Sequence, residues 1–349
     1  MKTVYVLGAG ASKHVGYPLA STMGAEMLAW MSTRDGYRET AEAIKETFGD
    51  SPNIEDVITD LDDIITSLEG AKELADRERR TIAAHQRSKL AEVLPQWFLE
   101  THTNPASAYE RFAKNIVQPG DVIITFNYDD SLERELKRVG KWDVSQGYGF
   151  QIGDIEKASP VRVLKLHGSM NWLVSIFNGA TSGSFAISGF SSLGTCPCIA
   201  TDFLKFLGYE DMNGTFPGGG GFPSIILPGR TKVFHYSTSF GPEHKEFFDF
   251  LWSQAAHALK RADRLVLCGY SMLPVDERAC DLLLKAPSRA AEVTIVSGSQ
   301  GQRISKQFKE AGFENVKPSE SGYFESWVKE YAKFSMKVHG VKIHDALRG

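Results

Sequence analysis

Short aliphatic runs constrain this chain more than any other feature. They are Thr3 to Leu7, Val122 to Thr125, Val161 to Leu166 and Arg264 to Cys268, with Val293 to Val296 following later. Each is rich in Val, Ile or Leu, lacks polar alternation and runs into small or polar residues. A strand that alternates keeps one face in water, whereas a continuous apolar run belongs to a strand covered on both faces. The runs therefore predict an open α/β fold around a parallel sheet. Ligands in such sheets sit at the carboxyl ends of the strands, so chemistry is expected in the residues that follow each run.

A chain of 349 residues suits one large domain or two that share a core. With 42% hydrophobic and 23% charged residues it has the composition of a globular protein. The net charge of -4 argues against direct nucleic-acid binding, which needs a basic surface. Of the cysteines, Cys196, Cys198, Cys268 and Cys280, only the first two are close, as Cys-Pro-Cys. Without C-x-x-C spacing, no metal is expected, and so few cysteines give no disulfide framework. No stretch approaches the ~18 apolar residues of a membrane span. The apolar run after Lys2 is too short for a signal peptide. A cytoplasmic location is expected.

The core is expected to use residues 1–20, 116–177 and 223–317. Between the first two strands, 21–115 reads as a helical insertion. Its clearest part is Asn53 to Leu68, where Ile54, Val57, Ile58, Leu61, Ile65 and Leu68 recur at helical spacing behind an Asn53 cap. Residues 178–222 are rich in Gly and Ser and read as a loop-rich insertion. Within 318–349, Trp327, Val328, Tyr331 and Phe334 mark a closing helix.

The first strand runs into Gly8-Ala9-Gly10-Ala11-Ser12. Glycines there let a pyrophosphate approach the backbone, and the helix start that follows offers N–H groups to an anion. Lys13 stands where the dehydrogenase fingerprint has its third glycine. No strand ending in an acidic residue follows about 20 residues on. The turn suits a nucleotide but not hydride transfer; a turn shaped by packing is the alternative. After the second strand, Phe126-Asn127-Tyr128-Asp129-Asp130 alternates, sending Asn127 and Asp129 to one side. An amide with a carboxylate suits a sugar hydroxyl or a water; capping of the next helix is the alternative, preferred for Asp130. His167, followed by Gly168, is a candidate general base. A lone histidine is more often structural, and its place among strand-end motifs is what raises it. Gly269 and Ser271 suit ribose or phosphate, Asp276 a helix cap near Glu277, and Ser297 an adenosine ribose.

In this order the motifs resemble the sirtuin superfamily. The wording Phe126-Asn127-Tyr128-Asp129-Asp130, Leu166-His167-Gly168-Ser169 with Asn171-Trp172, and Gly269-Tyr270-Ser271 with Asp276 is similar to its prokaryotic sirtuin-like branch, as is Asn53-Ile54-Glu55-Asp56. The resemblance implies a Rossmann-like sheet of the sirtuin type with a large helical insertion after the first strand, and NAD as substrate. Carried over, Asn127 holds the nicotinamide ribose and the attacking water, His167 acts as base or ribose anchor, and Asp129 fixes Asn127 or a ribose hydroxyl. Gly8, Ala9, Gly10, Ser12, Gly168, Gly269, Ser271, Asp276 and Ser297 line the dinucleotide site.

The chain departs from the protein deacylases of that superfamily. It lacks their four-cysteine zinc module. Their Gly-Ile-Pro-x-Phe-Arg turn is here Gly16-Tyr17-Pro18-Leu19-Ala20-Ser21, without the arginine, and their Gln-Asn-Ile-Asp is Phe126-Asn127-Tyr128-Asp129, without the glutamine. The branch with these changes looks like bacterial antiphage NAD hydrolases, which empty the cell's NAD pool. The resemblance thus implies an NAD glycohydrolase, with a protein deacylase or ADP-ribosyltransferase, or a non-catalytic NAD or ADP-ribose sensor, as alternatives. It also implies control by homo-oligomer assembly or by a partner such as a translocase-type ATPase or a short Argonaute.

Overall fold

The computed structural model describes residues 1–101, 106–150, 159–175, 192–193, 196–197, 221–229, 242–273 and 276–338. The strands are β1 (Thr3–Leu7), β2 (Val122–Thr125), β3 (Arg162–Lys165), β4 (Gly168–Ser175), β5 (Ser192–Leu193), β6 (Cys196–Pro197), β7 (Gly221–Ile225), β8 (Arg264–Cys268), β9 (Glu292–Val296) and β10 (Val316–Pro318). The helices are α1 (Ala9–Ser12), α2 (Ala20–Ser32), α3 (Arg38–Phe48), α4 (Ile54–Ser67), α5 (Leu74–Thr101), α6 (Ser107–Arg111), α7 (Ser131–Arg138), α8 (Val144–Gly147), α9 (Pro242–Lys260), α10 (Glu277–Lys285), α11 (Gly301–Glu310) and α12 (Phe324–Val338). The chain divides into two compact units.

The first unit comprises Met1–Gly16, Asn104–Leu166 and Phe250–Gly349. Its six-stranded sheet has the order β10-β9-β8-β1-β2-β3, with every pair parallel. From the central β1 the chain steps outward to β2 and β3, returns to β8 on the other side of β1, and steps outward again to β9 and β10. This is the doubly wound, Rossmann-like order, and its direction reverses between β1 and β8. β1 and β2 are buried along their whole length, as their unbroken apolar runs require. The sequence reading missed β10, whose Val316-Lys317-Pro318 is too short to show a run.

The register brings the carboxyl ends of five strands level. Leu7 pairs with Thr125 and with Cys268, Thr125 with Lys165, and Cys268 with Val296. The motifs that follow β1, β2, β8 and β9 thus begin in one row.

At the centre of that row two turns meet backbone to backbone. The Gly8 amide donates to the Cys268 carbonyl at 3.0 Å, and the Gly10 amide to the Gly269 carbonyl at 2.9 Å. A Cβ on Gly8 would lie 2.7 Å from the Gly269 carbonyl oxygen, and one on Gly10 2.8 Å from the Gly269 Cα. Gly269 itself has a φ of +62°, and a Cβ there would lie 2.3 Å from the Ala11 nitrogen. Packing therefore demands these glycines without reference to any ligand.

The second unit comprises Tyr17–Thr103 and His167–Asp249. In α4, Asn53 Oδ1 accepts the Glu55 amide at 3.1 Å. The helix buries Ile54, Val57, Ile58, Leu61 and Ile65, the stripe that the periodicity predicts. Gly24 of α2 lies against the Pro52 backbone, where a Cβ would approach the carbonyl oxygen to 2.1 Å. β4 pairs antiparallel with β7, and β5 with β6. Apart from 192–193, 196–197 and 221–222, the Gly/Ser-rich stretch 178–222 lies outside the described residues. Among the described residues, no helix is long and apolar enough to cross a membrane.

Gly269→Ala is expected to destabilise the protein by more than about 2 kcal/mol, combining a left-handed backbone with a clash against Ala11. Gly36→Ala, where a Cβ meets nothing within 4 Å, is the control and should change stability little. Denaturant midpoints of the two variants check this.

Candidate functional site

The segment after β1 is shorter than a helix with a useful dipole. α1 has four residues, and the 3-10 turn Lys13–Val15 behind it ends at Gly16 with a φ of 103°. The Gly8 and Gly10 amides are already given to the β8 turn. Of Gly8, Ala9 and Gly10, only Ala9 keeps its amide from a backbone carbonyl among the described residues. The anion cradle expected here is thus reduced to one amide.

Asn127 stands two residues beyond β2. Its backbone amide donates to Thr125 Oγ1 at 3.1 Å, and its Nδ2 donates to the Gly8 carbonyl at 3.0 Å and to Ser12 Oγ at 2.9 Å. A carbonyl can only accept, so the amide nitrogen must face Gly8 and the orientation is fixed by the network. With both amide protons committed, Asn127 offers a ligand only its acceptor oxygen.

Ser12, 1% exposed, holds this arrangement together. It donates to Asp129 Oδ2 at 2.6 Å and lies 2.7 Å from the Tyr109 hydroxyl. The carboxylate only accepts, so the one serine proton goes to Asp129 and Tyr109 donates to Ser12. The hydroxyl then has its full complement of one donated and two accepted bonds. Ser12, expected to line a dinucleotide site, has no hydrogen-bonding capacity left for one. Burial, with the Asp129 charge second, pushes the Tyr109 phenol well above its ordinary range and keeps it a donor.

Asp129 does two things at once. Beyond its bond to Ser12, its Oδ1 accepts the Ser131 amide at 3.2 Å at the start of α7. It reaches Asn127 only through Ser12. Asp130 occupies the N-cap position without a side-chain cap bond and pairs instead with Arg134 at 3.0 Å. The cap expected of Asp130 thus comes from Asp129.

Beneath this network lies an ion pair that the sequence reading missed. Lys165, the last residue of β3, is fully buried; its Nζ donates to Glu133 Oε1 at 2.8 Å and to the Asp129 carbonyl. Burial pushes the Glu133 carboxyl up to about 7, with the ammonium pulling the other way. The available signal was a lysine inside the apolar run Val161 to Leu166, which needs a buried partner.

Around the β8 turn, Phe126 stacks on Tyr270 with ring centroids 4.6 Å apart and planes 22° apart. The Tyr270 hydroxyl donates to Asp276 Oδ2 at 2.6 Å. Asp276 stands at the N-cap of α10 but makes no side-chain cap bond. Ser297 Oγ donates to the Tyr270 carbonyl at 3.0 Å. The Arg303 guanidinium donates to the carbonyls of Ser271 and Met272, the latter at 3.1 Å, and Met272 has a φ of 47°. Asp276 and Ser297 therefore brace the turn. Tyr323, 70% exposed, lies against Gly298, where a Cβ would come within 2.8 Å of the ring. Burial pushes the Cys268 thiol far up.

His167 and Gly168 belong to the second unit. His167 is buried and its carbonyl accepts the Ile226 amide at 2.8 Å, while Gly168 opens β4 with a φ of 80°. Among the described residues, no group of three or more His, Cys, Asp or Glu is placed to hold a metal. Cys196 lies in β6, and Cys198 falls outside the described residues.

No protein-family model and no curated protein matches the chain. Among solved structures it is similar to Sir2 enzymes. One is a Sir2 homologue in complex with NAD, at 14% identity and a TM-score of 0.45, over 97% of this chain and 90% of that one. Another is a mutant Sir2 homologue with 2'-O-acetyl ADP-ribose, at 14% identity and a TM-score of 0.46, over 98% and 94%.

Lys165→Met is expected to cost about 3–5 kcal/mol at pH 8.5, the range for removing one partner of a buried pair. Without the ammonium, the Glu133 carboxyl titrates above its present value of about 7. A carboxyl raised in the folded state contributes stability that is present below its unfolded range and lost as pH rises through the folded value. The deficit relative to the parent should therefore shrink on acidification to pH 5. Denaturation midpoints at the two pH values check this.

Proposed function

We propose that this protein binds NAD along the level strand ends and hydrolyses the bond between nicotinamide and ribose. The observation that carries the reading is Asn127, whose two amide protons are held by Gly8 and Ser12, leaving an acceptor oxygen just past β2. A fixed acceptor suits the protons of a ribose hydroxyl or of a water. The doubly wound order favours the same row, since the crevice at its reversal point is where dinucleotides are held in such sheets.

In the proposed reaction, water attacks the ribose carbon that carries nicotinamide. The carbon–nitrogen bond breaks, its electron pair stays with nicotinamide, and the water proton passes to a base, leaving ADP-ribose. The transition state is oxocarbenium-like, so the protein contributes mainly position and charge stabilisation. Asn127 orients the water or the nicotinamide ribose, and Asp129 acts on Asn127 through Ser12. The sequence resemblance supplies the base, His167, and lining by Gly168, Gly269 and Ser271. On the same resemblance we infer an antiphage effector that empties the NAD pool and is controlled by self-assembly, a translocase-type ATPase or a short Argonaute.

Purified protein incubated with NAD should release nicotinamide and ADP-ribose in equal amounts. His167→Ala is expected to lower the rate by about 10²–10⁴, or about 3–5 kcal/mol of barrier, if it supplies general-base help. Asn127→Ala should abolish release, and full activity in that variant would overturn the assignment. Release that depends on an added acyl-lysine peptide would make the protein a deacylase. Binding of NAD without release would make it a sensor.

A further inference from the structure

A cleft of 560 Å³ on the first unit is lined by His14, Ser107, Arg111, Glu325, Ser326 and Lys329. None of the candidate-site side chains contributes to it. Its volume is in the range of small-molecule sites. Arg111 and Lys329 are exposed, and neither forms an ion pair among the described residues. The lining brings two basic side chains and two serines together with one acidic residue, Glu325. That complement favours a compact anion with more than one charge.

The walls of the cleft meet on Tyr109. On one side the His14 ring packs edge-on against Tyr109, with centroids 4.8 Å apart, and its Nδ1 lies 2.9 Å from the Ala11 carbonyl. On the other, Phe324, next to Glu325 and Ser326 at the start of α12, packs on the same ring with centroids 5.4 Å apart. Arg111 sits two residues beyond Tyr109 on α6. The Tyr109 hydroxyl bonds Ser12, which in turn accepts from Asn127. A ligand held between Arg111 and Lys329 links the helix that carries Tyr109 itself to the helix that carries Phe324, one of the two supports of the ring whose hydroxyl holds Ser12.

We propose that this cleft is a regulatory site for a phosphorylated small molecule, coupled through Tyr109 to Ser12 and Asn127. The coupling, though not the binding, rests on the reading of Asn127 as part of the NAD site.

The test is calorimetric titration of the full chain with inorganic pyrophosphate, beside an Arg111→Ala/Lys329→Ala variant. Both positions are exposed, so the variant should keep the parent's thermal midpoint. The expected result is saturable binding with one site per chain, weakened at least tenfold in the variant. No saturable binding, or binding undiminished in the variant, would overturn the proposal. NAD affinity, measured with and without saturating pyrophosphate, is expected to change by about fivefold or more in the parent, the lower end of common coupling energies, and not in the variant. An unchanged parental affinity would overturn the coupling. A parent that binds pyrophosphate as expected but never binds NAD would instead overturn the proposed function and leave the cleft intact.

Discussion

A serine hydroxyl has one proton and two lone pairs, and in Ser12 all of them are used. Its proton goes to Asp129, and its lone pairs receive Asn127 and Tyr109. The partners come from the turn after β2 and from α6, so a single buried oxygen ties together segments about a hundred residues apart. Below them, Lys165 clamps the Asp129 carbonyl and Glu133 from the end of β3. Buried polar groups of this kind are costly when incomplete and rigid when complete. Here each group has what it needs, and the arrangement specifies one orientation for one amide.

Much of the sheet was legible in advance for a simple reason. Strands covered on both faces must be apolar throughout, so β1, β2 and β8 announce themselves, as does the stripe along α4. β10 was not legible, because three residues cannot display a period. The site was legible only in its strand-end residues. Tyr109 sits in a segment that reads as ordinary helical core, and nothing local marks its phenol as Ser12's partner. Lys165 was visible as an anomaly, yet Glu133 reads equally well as a charged residue in the first turn of α7. Such pairings are tertiary facts, and a sequence does not print them.

The glycines carry a related lesson. Gly8, Gly10 and Gly269 read naturally as room for a pyrophosphate, and the place of a Cβ at each is filled by the facing turn's own backbone. Likewise Asp276 and Ser297 have the residue types of ligand contacts and act as braces on the Tyr270 loop. A motif can be positioned for a nucleotide and still be composed, residue by residue, for packing.

The committed amide of Asn127 has a consequence for selectivity. To turn its nitrogen outward the side chain would have to surrender two hydrogen bonds and set its oxygen against the Gly8 carbonyl and the Ser12 oxygen. A freely hydrated asparagine greets donors and acceptors alike; this one is a polarity filter. On the proposed function it would take hydroxyl and water protons and offer nothing to ether or carbonyl oxygens in the same place. Discrimination of that sort, built on an unflippable group, separates molecules of nearly equal shape by the direction of a single hydrogen bond.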